Sequence, residues 1–258
     1  MSVVAGPRLV HKGIELFLDA ANKKSYPGSG STWFDASGNG RNGTLSGNTA
    51  PAFVTDGKGS MDFTPGTGNS WVYIPHDDNI RDNVFDITTN FTLTAWINID
   101  TARNYGTVIA KANGNSWSNT TNAIWVFISN DGSVKYIRGL SGTGVGTNSF
   151  PAEYNRIDYT TNVTGRWINA TYTGDGTDAI LYINGENVGT FAFSTITSSV
   201  TSHSRGITIG TRAENGSGVL NANPELDGKV AMVAAYNQAL TSAEVLQNYN
   251  ALKTRFGL

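Results

Sequence analysis

The stretch that decides the fold is residues 165–193, GRWINATYTGDGTDAILYINGENVGTFAF. Three β-rich runs, at 167–173, 179–184 and 188–193, are separated by Gly174-Asp175-Gly176 and by Asn184-Gly185. Both separators are strong turn signals, because their glycines supply the positive backbone φ that tight hairpins require. The spacing therefore predicts a meander of antiparallel strands. In the middle run Ile180, Tyr182 and Asn184 fall on one face and Leu181 and Ile183 on the other, since side chains alternate along a strand. Both faces are largely apolar, which predicts a sheet covered on both sides.

Outward from the meander, residues 91–99 alternate with period two, placing Phe91, Leu93, Ala95, Ile97 and Ile99 against Thr92, Thr94, Trp96 and Asn98. This predicts a central strand. Shorter strands are expected at 13–20, 52–54, 61–63, 71–74, 107–111, 124–129 and 134–137, with 130–133 as a hairpin loop between the last two. Residues 22–47 read as one long turn-rich loop, and the four glycines and Pro151 of 139–155 as a second excursion. Strands resume at 157 and close at 207–210 and 226–236. Residues 241–256 form the one expected helix. Thr241-Ser-Ala-Glu244 is a capping box that satisfies free amides at its start, and Val245, Tyr249, Leu252 and Phe256 make one apolar stripe.

The Trp-led strand, the Gly-Asp-Gly turn and LYINGENVG resemble the central signature of laminin-G-like, concanavalin A-like jelly-roll domains. ITIG at 207–210 and ELDGKVAMVAAYNQALTSAEVLQNY at 225–249 match, in order and spacing, that family's closing strands and terminal helix. The resemblance implies an all-β, two-sheet antiparallel jelly-roll sandwich with one C-terminal helix, spanning residues 13–258 behind an N-terminal arm at 1–12. A second pattern, LDAxNxxSYPGSGSTWxDxSGNGxNGTL at 18–45, resembles the opening of laminin-G-like proteins encoded by tailed bacteriophages. It implies a virion protein made in a host cytoplasm, with other capsid or tail proteins as partners, an oligomer possible and the arm ordering on binding. Sandwiches of this kind host lectins, hydrolases and adhesion modules alike, so fold does not fix function.

Composition narrows the chemistry. Eighteen Lys plus Arg against twenty Asp plus Glu leave a formal charge of -2 without a basic stripe, which argues against nucleic acid as a partner. No apolar run is long enough to span a bilayer, and no secretion signal is visible. With no cysteine, disulfides, thiolate metal sites and thiol catalysis are excluded.

Glycosidases need two carboxylates facing one cleft. The six glutamates are scattered, and only Glu225-x-Asp227 forms a spaced acidic pair, read here as turn chemistry rather than catalysis. The three histidines are isolated and no nucleophile elbow or phosphate loop occurs, so no catalytic residue and no cofactor is expected. A structural calcium ion is the minor alternative, with oxygen ligands from Asp35 and Asn39 in one turn or from Asp227 beside Gly228. Sugar binding needs an aromatic platform with hydrogen-bonding neighbours. Trp117, in the polar run ANGNSWSNTTN, is the candidate platform for a host-surface glycan, with Tyr105 and Tyr154 as weaker companions. The leading expectation is thus a non-enzymatic virion protein acting as capsid decoration or adhesion subunit. A carbohydrate-binding module comes second, and a glycoside hydrolase is a remote third.

Overall fold

A computed structural model describes residues 7–63, 70–75, 90–101, 106–112, 123–131, 136–144, 155–192, 206–211 and 226–258. They form two antiparallel sheets of eight strands each, numbered in chain order. The first sheet runs β14 (Glu186–Ala192), β13 (Asp178–Ile183), β12 (Trp167–Asp175), β7 (Asn90–Ile99), β16 (Gly228–Tyr236), β5 (Ser60–Phe63) and β4 (Ala52–Val54), with β1 (Ile14–Asp19) also paired to β16. The second runs β11 (Asn155–Tyr159), β10 (Tyr136–Gly144), β9 (Ala123–Asp131), β8 (Gly106–Ala112), β15 (Ile207–Ile209), β6 (Ser70–Ile74), β3 (Gly43–Gly47) and β2 (Thr32–Trp33). This is the two-sheet jelly-roll sandwich that the meander and its flanking strands predict.

The expected central strand is central. β7 pairs with β12 from Trp167↔Asn98 to Asp175↔Asn90 and with β16 on its other edge. Phe91, Leu93, Ala95, Ile97 and Ile99 point between the sheets, where they meet Tyr172, Leu181, Val233 and, from the second sheet, Val72, Ile109 and Ile209. The opposite face of the first sheet carries a second core. Trp96, Tyr182, Met232, Ala234 and Tyr236 are buried there with Val245 of α1 (Ser242–Leu252). Coverage on both sides explains why both faces of 179–184 are apolar.

Under the helix, polar residues at the period-two positions pair among themselves. Thr94 and Thr171 share a hydrogen bond of 2.7 Å, and Asn169 Nδ2 donates to Thr94 Oγ1 (3.1 Å) and to the Ala95 carbonyl (3.2 Å). Satisfied in this way, the buried groups avoid the desolvation penalty that isolated ones would carry.

The helix starts on the expected capping box. Thr241 Oγ1 accepts from the Glu244 amide (3.3 Å), and Glu244 Oε2 accepts from the Thr241 amide (2.8 Å). It ends in a 3-10 turn, Lys253–Phe256, which lays Phe256 on Trp96 with ring centroids 4.1 Å apart.

Four segments differ from the sequence reading. Residues 139–144 belong to β10 rather than to a loop, because β10 is paired along its length to β9 and over five residues to β11, and ladder hydrogen bonds outweigh the weak strand preference of glycine. The 22–47 loop contains β2 and β3, short strands at the edge of the second sheet. The expected 130–133 turn shifts, since β9 continues to Asp131 and pairs with Tyr136. Residues 7–12 do not stand off as an arm. Val10 donates to Asn248 Oδ1 (2.7 Å), Tyr236 OH donates to the Val10 carbonyl (3.1 Å), and Asn248 Nδ2 donates to Tyr236 OH (3.1 Å).

That closed triangle predicts a pH dependence. Burial pushes the Tyr236 hydroxyl up to about 12, above its ordinary value of 10.0. A group whose pKa is higher folded than unfolded contributes its full stability below the unfolded value and loses it as pH rises through the folded one. The thermal midpoint should therefore fall between pH 10 and about 12. The fall should be shallower in Tyr236→Phe, though not abolished, because burial also raises Tyr26 and Tyr249. Thermal melts of both proteins across this range check it; identical slopes would contradict it.

Candidate functional site

A groove of about 400 Å³ opens where the β12–β13 turn faces the start of α1. Its lining includes Asn90, Thr173, Asp175, Asp178, Tyr182 and Ser242. These residues come from three distant segments that the sheet register brings together. Asn90 opens β7 opposite Asp175, the last residue of β12, and Asp178 opens β13.

Both walls are fixed by hydrogen bonds. On one side, Asp175 Oδ1 accepts from the amides of Thr177 (2.8 Å) and Asp178 (2.7 Å), which shapes the turn. On the other, Thr92 Oγ1 donates to the Gln238 carbonyl (2.8 Å) and accepts from the Leu240 amide (2.9 Å), tying the segment before α1 to the sheet. Tyr182 lies buried at the floor, its hydroxyl 3.0 Å from Ser242 Oγ. The site thus has a hydrogen-bonded frame, an aliphatic base from the half-buried Ile180, and hydroxyl, amide and carboxylate groups around the rim.

At Asp175 the electrostatics favour hydrogen-bond acceptance over proton donation. The two backbone amides hold Asp175 below the usual carboxylate range, so it is ionised at neutral pH. A glycosidic general acid needs the opposite shift, since it must carry a proton at working pH.

Of the residues singled out from sequence, Trp117, Tyr105 and Tyr154 lie outside the described residues, as does Glu225. Asp35 and Asn39 do come together. Asp35 Oδ1 accepts from the amides of Phe17 and Ser37 (both 2.9 Å), and Oδ2 accepts from Ser37 Oγ (2.7 Å) and the Arg41 amide (3.0 Å). Each oxygen is therefore engaged by the chain's own donors. Asn39 Nδ2 donates to the Glu15 carbonyl at 3.1 Å, and Arg41 pairs with Glu15 at 3.0 Å. Asp227 sits elsewhere, before β16, where its carbonyl accepts from the Asp100 amide (2.9 Å). Phe17 pairs with Ala234, seven residues further along β16 and so roughly 20 Å away at the rise of a strand. Among the described residues, no group of three or more His, Cys, Asp or Glu is placed to hold a metal ion. The groove residues were legible only as turn chemistry, because Gly174-Asp175-Gly176 signals a hairpin whether or not its carboxylate faces a cavity.

A family model described as the concanavalin A-like lectin/glucanases superfamily matches residues 66–246. Among curated proteins, none matches the sequence. The chain is similar to botulinum neurotoxin type C, in a structure described by its interaction with two ganglioside molecules, with 15% identity and a TM-score of 0.64 over 94% of this chain and 52% of that one. It is similar to the binding domain of Paraclostridial Mosquitocidal Protein 1 at 16% identity and a TM-score of 0.59, over 93% of this chain and 52% of that one. It also resembles Trypanosoma rangeli sialidase in complex with 2,3-difluorosialic acid, at 15% identity and a TM-score of 0.61, covering 94% of this chain and 34% of that one. The chain thus spans about half the length of the two binding proteins. At these identities the likeness is one of fold.

Proposed function

The chain belongs to the concanavalin A-like lectin/glucanases superfamily, and from that premise we propose that it is a non-catalytic carbohydrate-binding domain whose sugar site is the groove beside the β12–β13 turn. The observation that carries this reading is the groove's composition: ionised Asp175, Asp178, Asn90 and two helix-start hydroxyls surround a base formed by the half-buried Ile180, with Tyr182 buried beside it. Sugars present hydroxyl edges to such acceptors and an apolar face to such a base. A ganglioside-associated toxin and a sialic-acid-processing enzyme among the similar folds support glycans as the ligand class. The depressed Asp175 is unsuited to the general-acid role of a glycosidase.

A glycan array probed with the full chain tests this. Saturable binding to a subset of glycans, with every bound oligosaccharide recovered intact, is expected. Binding to none, or release of shorter products, would overturn it.

The opening pattern at 18–45 supports a virion surface as the setting, with capsid or tail proteins as neighbours. Its check is the presence of the protein in purified particles.

A further inference from the structure

Resting on the glycan-binding reading, we propose that the groove prefers glycans bearing free amino groups, of the glucosamine type, and excludes sialylated and other acidic glycans. Two carboxylates, Asp175 and Asp178, line it, and among the described lining residues there is no Lys, Arg or His. Asp175 is exposed, and its two backbone amide donors stabilise the ionised form, so the negative charge persists at neutral pH.

Among the described lining residues, the one local source of positive potential is the start of α1, whose free amides carry about half a unit charge. That potential is already met from within the chain. Glu244 folds back onto the Thr241 amide (2.8 Å) and hydroxyl (2.9 Å), setting a full carboxylate against the partial charge. An acidic sugar entering the groove would meet two carboxylates with no cation among the described lining residues to offset them, whereas an ammonium group would find charge-assisted acceptors. Asp178 is the better placed of the two to receive it. Among the described residues its side chain makes no hydrogen bond to the turn, whereas Asp175 shapes the hairpin.

The test is calorimetric titration of the full chain with a glucosamine oligomer, its N-acetylated counterpart, lactose and sialyllactose. Each is run near 0.02 M and near 0.5 M salt, where screening lengths differ by several-fold. The glucosamine oligomer is expected to bind about tenfold or more tightly than its acetylated counterpart. That advantage should shrink at high salt and in Asp178→Asn, and sialyllactose should not bind. Circular dichroism confirms that the variant is folded. Sialyllactose binding as tightly as lactose, or equal glucosamine binding by the wild type and Asp178→Asn, would overturn the charge preference while leaving glycan binding in place. Heat from none of the four sugars, with the array also blank, would instead remove the glycan reading and this inference with it.

Discussion

Arg255→Ala is expected to destabilise the domain by about 3–5 kcal/mol, read as a lower urea midpoint, although it lies three residues before Leu258. Its guanidinium joins the 57–59 segment to the end of β1 through three hydrogen bonds. Nε donates to the Gly57 carbonyl (2.6 Å), Nη2 to the Gly59 carbonyl (2.7 Å), and Nη1 to Asp19 Oδ1 (2.7 Å). The Arg255 and Asp19 side chains are only 10% and 14% exposed, so removing the cation leaves a carboxylate poorly solvated and two carbonyls without their donor. Arg255→Lys should recover only part of the loss, because an ammonium restores the charge but cannot reach three acceptors with a planar fork. Equal midpoints for wild type and Arg255→Ala would refute this account of how the C-terminal turn is held.

Trp96→Ala is expected to cost about 3–5 kcal/mol as well, through a different mechanism. Trp96 is fully buried on the helix side of β7, stacked on Phe256 (centroids 4.1 Å) and Tyr249 (5.7 Å), while Trp167 packs on the same Phe256 at 4.9 Å. Truncation opens a cavity at the centre of the second core, and the framework of β7 cannot collapse to fill it. Trp96→Phe should cost much less. It keeps a ring in the stack and removes an indole nitrogen that is buried without a hydrogen-bond partner. Since Arg255 also lies over the Phe256 ring at 4.9 Å, the double variant should lose less than the sum of the two single losses. Urea unfolding of all four proteins checks both the magnitude and the coupling.

Much of this architecture was readable before any coordinates. The alternation in 91–99 and the two turns of the meander identify β7, β12 and β13. The Thr241–Glu244 pair identifies the helix start to within a residue. These are local signals, in which the period of the apolar residues or the chemistry of a cap is enough. The strand at 139–144 was not readable, because its glycines carry no packing signal and only its ladders to the neighbouring β9 and β11 reveal it. The docking of residues 7–12 was hidden for a related reason. It depends on Asn248 and Tyr236, more than two hundred residues away, and on hydrogen bonds that a polar segment does not advertise. The groove shares this property. Asp175 reads as a turn residue and Ser242 as part of a helix start, Asn90 and Asp178 fall just outside the predicted strands, and it is the register of β7 against β12 that sets Asn90 opposite Asp175.

The central claim is that glycans are held in this groove, and the most direct measurement is the affinity of the best array ligand for Asp178→Lys beside Trp117→Ala. The lysine projects a long cationic side chain into the groove without touching the two amide bonds that hold Asp175. The account predicts at least a tenfold loss in Asp178→Lys, about 1.4 kcal/mol or more, and unchanged affinity in Trp117→Ala. Full affinity in Asp178→Lys together with loss in Trp117→Ala would contradict it and move the sugar to the 113–122 segment.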